Sequence, residues 1–303
     1  MAQEYANQPV IFLEYDVDQA PMIRYSRWWF AYQGSGSVLL PLVMTDSGQQ
    51  ISNGYVDFYN VYKNMVEQEL ARPAQAEIEA YAWRVGDRVR FSIKLTNLSG
   101  IPLSYPSNRA TVFGIVYEEA KVGLTNRFVR EVAYQDIQSE LAPGSSAVFD
   151  LETSDLTGVD WGKLHFLALA DYRPEESSEL YDVLQAASAQ LIDFRVQPEF
   201  LTLMVDPDEP ASPFTPIELS GSHLLNWSAS EDIPWLALSS DSGTVPASLS
   251  ISIDTSSLSP GWQPEGKISF SATVGEQVLF TEELSVLTYY GPTARIYLPI
   301  IKR

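Results

Sequence analysis

One short stretch of this 303-residue chain combines side chains that suit the binding of a polar ligand. Trp262 is followed by Gln263 and Glu265 in a loop-like segment. An indole ring offers an apolar face for stacking, and amide and carboxylate oxygens accept hydrogen bonds from hydroxyl groups. We therefore take these three residues as candidate ligand-binding residues. The alternative is that Trp262 closes the edge of a β-sandwich, because tryptophan is usually largely buried.

Residue types that carry catalysis or bind metals form no recognisable set in the sequence. The chain has no cysteine, so it can supply neither the thiolate nor the disulfide that thiol–disulfide exchange requires. His165 and His223 have no second ligand at zinc-site spacing. No phosphate-binding loop, dinucleotide glycine pattern or nucleophile elbow occurs. We predict no enzyme activity, no cofactor and no metal site, while calcium binding and a glycosidase-type carboxylate pair stay open.

Charge and composition restrict the classes of partner. The formal net charge of -20 argues against nucleic acid and anionic membrane surfaces, since both require clustered Lys and Arg. No apolar run approaches the roughly 18 residues of a spanning helix, so we predict no membrane insertion by this chain. Its length predicts two or three domains, and the oligomeric state stays undetermined.

The first 72 residues predict a partial α/β domain. The predicted elements are, in order, a strand at 10–15, a helix at 24–33, a strand at 37–44, a return strand at 49–51 and a helix at 53–70. This order resembles the second half of a thioredoxin. The resemblance implies a cis Leu40–Pro41 bond at an edge that faces the cysteine pair of the family. Because the first strand and the cysteine-bearing helix are missing, we expect a truncated domain, with a degenerate domain as the alternative.

Residues 73–196 change to the two-residue alternation of β-strands. A hairpin is predicted at 76–84 and 89–97, and further strands are predicted at 110–118, 128–134, 147–152, 164–171 and 180–189. Such short, evenly spaced strands indicate an immunoglobulin-like β-sandwich. Segments 110–119, 127–131, 167–171 and 183–187 resemble the β-domain that follows the thioredoxin-like domain in a family of bacterial outer-membrane lipoproteins. This resemblance implies an extracellular or cell-surface location.

Residues 197–291 predict a second sandwich. Near its start, the proline-rich segment 205–213 predicts an extended linker that precedes most of its strands. Leu249, Ile251 and Ile253 alternate with serines, which predicts one strand with a buried face, and we expect Trp227 and Trp235 in the core. Segments 225–230, 234–239, 241–254, 258–261 and 266–272 resemble BACON domains, which are immunoglobulin-like modules of bacterial surface proteins. That resemblance implies carbohydrate or glycoprotein as the partner.

The short apolar tail at 292–303 resembles the tails that close secreted proteins of some bacterial lineages, as a sorting or attachment signal, and a final edge strand is the alternative. Two functions of different classes are compatible with the sequence. The favoured one is a non-catalytic secreted or cell-surface binding protein that recognises carbohydrate or glycoprotein through its sandwiches. The alternative is the C-terminal portion of an extracytoplasmic thiol–disulfide oxidoreductase whose cysteine pair lies upstream of Met1.

Overall fold

The computed structural model divides the chain into two compact units, Met1–Leu191 and Ile192–Arg303. Both units consist mainly of β-strands arranged in several sheets, which confirms the prediction of a β-rich, sandwich-like protein. The division of the first unit at residue 72 and its thioredoxin-like assignment stay predictions. The structure describes seven stretches of the chain: 3–15, 42–46, 50–53, 57–120, 126–174, 180–208 and 216–292.

The first unit begins with a small hairpin and a helix. Strands β1 (Leu42–Thr45) and β2 (Gln50–Asn53) pair antiparallel, and helix α1 (Phe58–Leu70) packs against both. This matches the predicted order of strand, turn, return strand and helix. The bond Leu40–Pro41 and the helix predicted at 24–33 lie outside the described residues.

The segment 10–15 is not the regular strand that its sequence predicts. It makes one parallel bridge, between Glu14 and Phe128, and its residues are only partly buried. Its alternating side chains Ile11, Leu13 and Tyr15 pack instead on an apolar cluster of the neighbouring sandwich. The prediction is wrong because the alternation serves packing on a sheet face, not pairing within a sheet.

The remainder of the first unit is a sandwich of two four-stranded sheets, with strand orders β10-β3-β4-β7 and β6-β5-β8-β9. A short helix, α2 (Tyr105–Asn108), precedes β5. The strands are β3 (Ala76–Val85), β4 (Arg88–Asn97), β5 (Thr111–Glu118), β6 (Phe128–Asp136), β7 (Ser146–Glu152), β8 (Leu164–Tyr172), β9 (Asp182–Ser188) and β10 (Gln190–Leu191).

The core of this sandwich depends on close contact between β4 and β5. Phe91 on β4 is fully buried, and its ring meets Phe166 of β8 edge-on with centroids 6.3 Å apart. Gly114 of β5 lies directly against the Phe91 ring, so a Cβ at this position would come within 2.6 Å of a ring carbon. Glycine therefore permits this approach of backbone to ring.

We expect Gly114→Ala to destabilise the protein by about 1–3 kcal/mol, because the added methyl group overpacks the core. The free energy of unfolding from urea titration measures the effect. Gly100→Ala is the matched control, since nothing lies within 4 Å of a Cβ at Gly100. Equal effects of the two substitutions would contradict the close contact.

The second unit contains one large sheet and two small ones. The large sheet has strand order β12-β21-β20-β14-β16, with β19 also pairing β21, and the small sheets are β11-β13-β17 and β15-β18. The strands are β11 (Phe194–Gln197), β12 (Phe200–Val205), β13 (Ile217–Gly221), β14 (Asn226–Glu231), β15 (Leu236–Leu238), β16 (Ser242–Thr244), β17 (Ala247–Leu249), β18 (Ile251–Ile253), β19 (Gly261–Trp262), β20 (Gly266–Val274) and β21 (Gln277–Tyr290).

Two predictions about this unit need correction. The proline-rich segment predicted as a linker joins β12 to β13, and both strands belong to the same unit. The single strand predicted across Leu249 to Ile253 is two strands, because Ser250 separates β17, which pairs β13, from β18, which pairs β15. Serine alternation continues through the break, so the sequence pattern alone does not reveal that the chain changes sheets.

Candidate ligand-binding face of the second unit

Strand β21 organises the candidate site. It pairs in parallel with β12 on one side and antiparallel with β20 and β19 on the other. This register sets Met204, Tyr289 and Trp262 opposite one another in a row across three strands. Directly opposed residues of neighbouring strands project from the same face of a sheet. The row therefore forms one continuous surface.

Trp262 is an exposed aromatic residue at the end of this row. The residue is 58% exposed, and its ring meets the Tyr289 ring at 63° with centroids 5.3 Å apart. The alternative was that Trp262 is buried and closes the edge of the sandwich. It does not hold, because more than half of the residue's surface stays exposed. Trp227 and Trp235, in contrast, are 3% and 6% exposed, in agreement with their predicted place in the core.

The loop after Trp262 is held by the backbone and by Gln263. The backbone N–H of Gln263 donates to the carbonyl of Thr288 at 2.8 Å. Its side-chain Nε2 donates to the carbonyls of Ser259 and Gly261, so its Oε1 is the amide atom left to accept a bond from a ligand. Glu265 is exposed in the same loop. Gly261 adopts a φ of 108°, a conformation that favours glycine.

The same face becomes polar farther along the sheet. Lys267 and Glu283 form an ion pair of 2.6 Å between β20 and β21. Beyond this pair, the outward positions carry hydroxyl side chains: Ser269 and Ser271 on β20 stand opposite Ser230 and Ser228 on β14. Hydroxyl groups both donate and accept hydrogen bonds, so this part of the face can bond to polar ligands.

Sequence reasoning missed Tyr289, Met204 and Phe200 as members of this face. Their proximity to Trp262 depends on pairing between β12 and β21, which are far apart in the chain. One sequence signal was present. In β12 the inward residues Leu201 and Leu203 alternate with the outward Phe200, Thr202 and Met204, and two of these three outward residues are apolar where an ordinary surface strand carries polar side chains.

A separate polar cluster joins three parts of the first unit. The guanidinium of Arg72 contacts Glu69 of α1 and Asp182 of β9, each at 2.6 Å, and Asp46 after β1 at 3.4 Å. Gln75 donates to the same Asp182 carboxylate at 3.0 Å. Three carboxyl groups therefore share one arginine, and full ionisation of all three leaves excess negative charge in a partly buried place.

Burial and the charge of Glu69 raise the pKa of the Asp46 carboxyl to about 7. The folded protein then holds a proton that the unfolded chain releases near pH 4. This contribution to stability is present in full below about pH 4, the pKa of the unfolded carboxyl, and is lost as the pH rises from there through about 7. The proton also permits a hydrogen bond between Asp46 and Glu69.

We expect Asp46→Asn to leave stability almost unchanged at pH 4 and to increase it at pH 8, because asparagine cannot acquire the unfavourable charge beside Glu69 and Asp182. Urea midpoints at the two pH values measure the difference. Asp87→Asn, at an exposed hairpin turn, controls for the loss of one negative charge. The same change at both pH values would contradict the raised pKa of Asp46.

The described stretches show neither a metal cluster nor a membrane-spanning helix. Within them, no group of three or more His, Cys, Asp and Glu side chains is placed to hold a metal ion. Across those same stretches, no helix combines the length and apolar character needed to cross a bilayer. The predicted cis-proline edge at Leu40 and Pro41 is outside the described part of the chain.

Comparisons with known proteins give little further information. No family model matches the sequence, and no curated protein matches it. Among solved structures, a calcium-binding mutant of Bacteroides uniformis beta-glucuronidase 2 is similar to 39% of this chain, with 13% identity and a TM-score of 0.26. The match spans 13% of that enzyme chain. A likeness of this size carries no conclusion about fold or function.

Proposed function

We propose that this chain is a non-catalytic secreted or cell-surface protein that binds carbohydrate or glycoprotein through the outer face of the large sheet. The observation that carries this proposal is the exposed Trp262 beside Tyr289, at the end of a row of outward side chains. We also propose, from the sequence resemblances, that the second unit is a BACON-like sandwich and that residues 1–72 derive from a thioredoxin-like domain.

The chemistry of the face suits an uncharged sugar. The exposed ring of Trp262 offers an apolar surface to the C–H face of a sugar, and Gln263 and Glu265 in the loop that follows carry acceptors for sugar hydroxyls. The net charge of -20 disfavours polyanionic glycans, since they would meet a surface of their own sign. The absence of cysteine fits a role without thiol chemistry.

The proposal is tested by a glycan array on the full chain, followed by calorimetry on the sugars that bind. We expect Trp262→Ala to weaken binding at least about tenfold, which corresponds to about 1.4 kcal/mol. The stability of the variant should change by less than about 1 kcal/mol, because Trp262 is largely exposed and surface substitutions have small effects.

Tyr134→Ala provides the matched control, because Tyr134 is an exposed aromatic residue of the first unit. This variant should keep full affinity. The proposed function is wrong if wild-type protein binds no glycan, or if Trp262→Ala and Tyr134→Ala bind equally well. A loss of about 3–5 kcal/mol of stability in Trp262→Ala would instead identify a buried core residue.

A further inference from the structure

An apolar shelf extends the candidate face beyond the two aromatic rings. We define the shelf as Phe200 and Met204 of β12 with Leu287 of β21, which stands opposite the exposed Thr202 between the two β12 residues. Phe200 is 48% and Met204 49% exposed, and Leu287 is partly exposed. Large apolar side chains that are scattered singly need no explanation, but a contiguous group on one face marks an interaction site. The shelf is therefore a candidate site for the apolar part of a ligand.

The shelf is continuous with the Trp262–Tyr289 pair. Met204 stands directly opposite Tyr289, which stands opposite Trp262, and neighbouring strands lie about 4.8 Å apart. Phe200 precedes Met204 by four residues on the same face of β12, a distance of about 13 Å at strand rise. A ligand placed on Trp262 thus reaches the shelf without leaving the face.

A sugar alone does not account for this surface. Each hydroxyl that lost water over Phe200, Met204 or Leu287 would find no hydrogen-bond partner in those side chains, and Thr202 between them offers a single hydroxyl, so most of that loss would be costly. An alkyl or aryl group would gain free energy at the same place. The strand β12 carries no charged residue, which also favours an uncharged apolar group there.

We propose that the ligand on this face is an amphiphilic glycoside, with its sugar on Trp262 and Tyr289 and its apolar aglycone on the shelf of Phe200, Met204 and Leu287. This inference rests on the proposed function and specifies its substrate class. The sugar supplies orientation through hydrogen bonds near Gln263 and Glu265, and the aglycone supplies affinity through burial of apolar surface.

The probes are the methyl, butyl and hexyl β-D-glycosides of the terminal sugar that the glycan array selects. Calorimetry below the micelle concentration measures their affinity for the full chain. Each methylene group that becomes buried should tighten binding about two- to fourfold. Met204→Ser should reduce this gain per methylene relative to wild type.

Val278→Ser is the matched control, because Val278 is an exposed apolar residue at the other end of the large sheet. It should retain the full gain per methylene. If the methyl glycoside binds but longer chains add nothing, the inference is wrong and the proposed function survives. If no glycoside binds at all, both fail.

Binding of two further probes tests whether the face selects a glycoside over other apolar ligands. Hexyl tetraethylene glycol ether presents the same alkyl chain without a sugar, and zwitterionic phosphatidylcholine vesicles present a lipid surface. We expect weak or no binding of either. Binding of the ether as tight as that of the hexyl glycoside, or stable binding to the vesicles, would overturn the inference and identify a general apolar or lipid-binding patch.

Discussion

The two-residue period of β21 is the constraint on which the candidate face depends. Leu284 and Val286 point into the core of the second unit, so Leu287 and Tyr289 must point outward. A shift of one residue would place the apolar core set in solvent, which fixes the register strongly. Because β12 and β19 are aligned on β21, burial of the core also determines which of their side chains are exposed. The outward row of Met204, Tyr289 and Trp262 is thus a consequence of core packing.

In the first unit, the two-residue period of β5 leaves neither face of the strand exposed to solvent. Strand β5 is buried on both faces, since one face meets the opposing sheet and the other carries Phe113 and Ile115 under the segment 10–15. An antiparallel strand with no solvent face requires an additional layer. In the same unit, the ion pairs of Arg72 connect the β1–β2 hairpin, helix α1 and the sandwich. Because three carboxyl groups share this one arginine, the stability of the connection depends on pH.

Local patterns predicted the strands from residue 76 to 188 to within about two residues, because each is an alternating run between turn signals. The sequence also placed Trp227 in the core, where the structure finds it, while Trp262 was a candidate site with a buried alternative. Tyr289 and Met204 could not be found in this way, since their position beside Trp262 depends on pairing between distant strands. The segment 10–15 was misjudged for a related reason: alternation does not distinguish a paired strand from an extended segment packed on another sheet.

The indole N–H resonances of the seven tryptophans offer the most direct test that the ligand binds at this face. Titration of the isotope-labelled full chain with the array-selected sugar should shift the Trp262 resonance, assigned by its loss in Trp262→Phe. The resonances of the buried Trp227 and Trp235 should remain in place. A saturable shift at other indoles with none at Trp262 would contradict the account and place binding elsewhere in the chain.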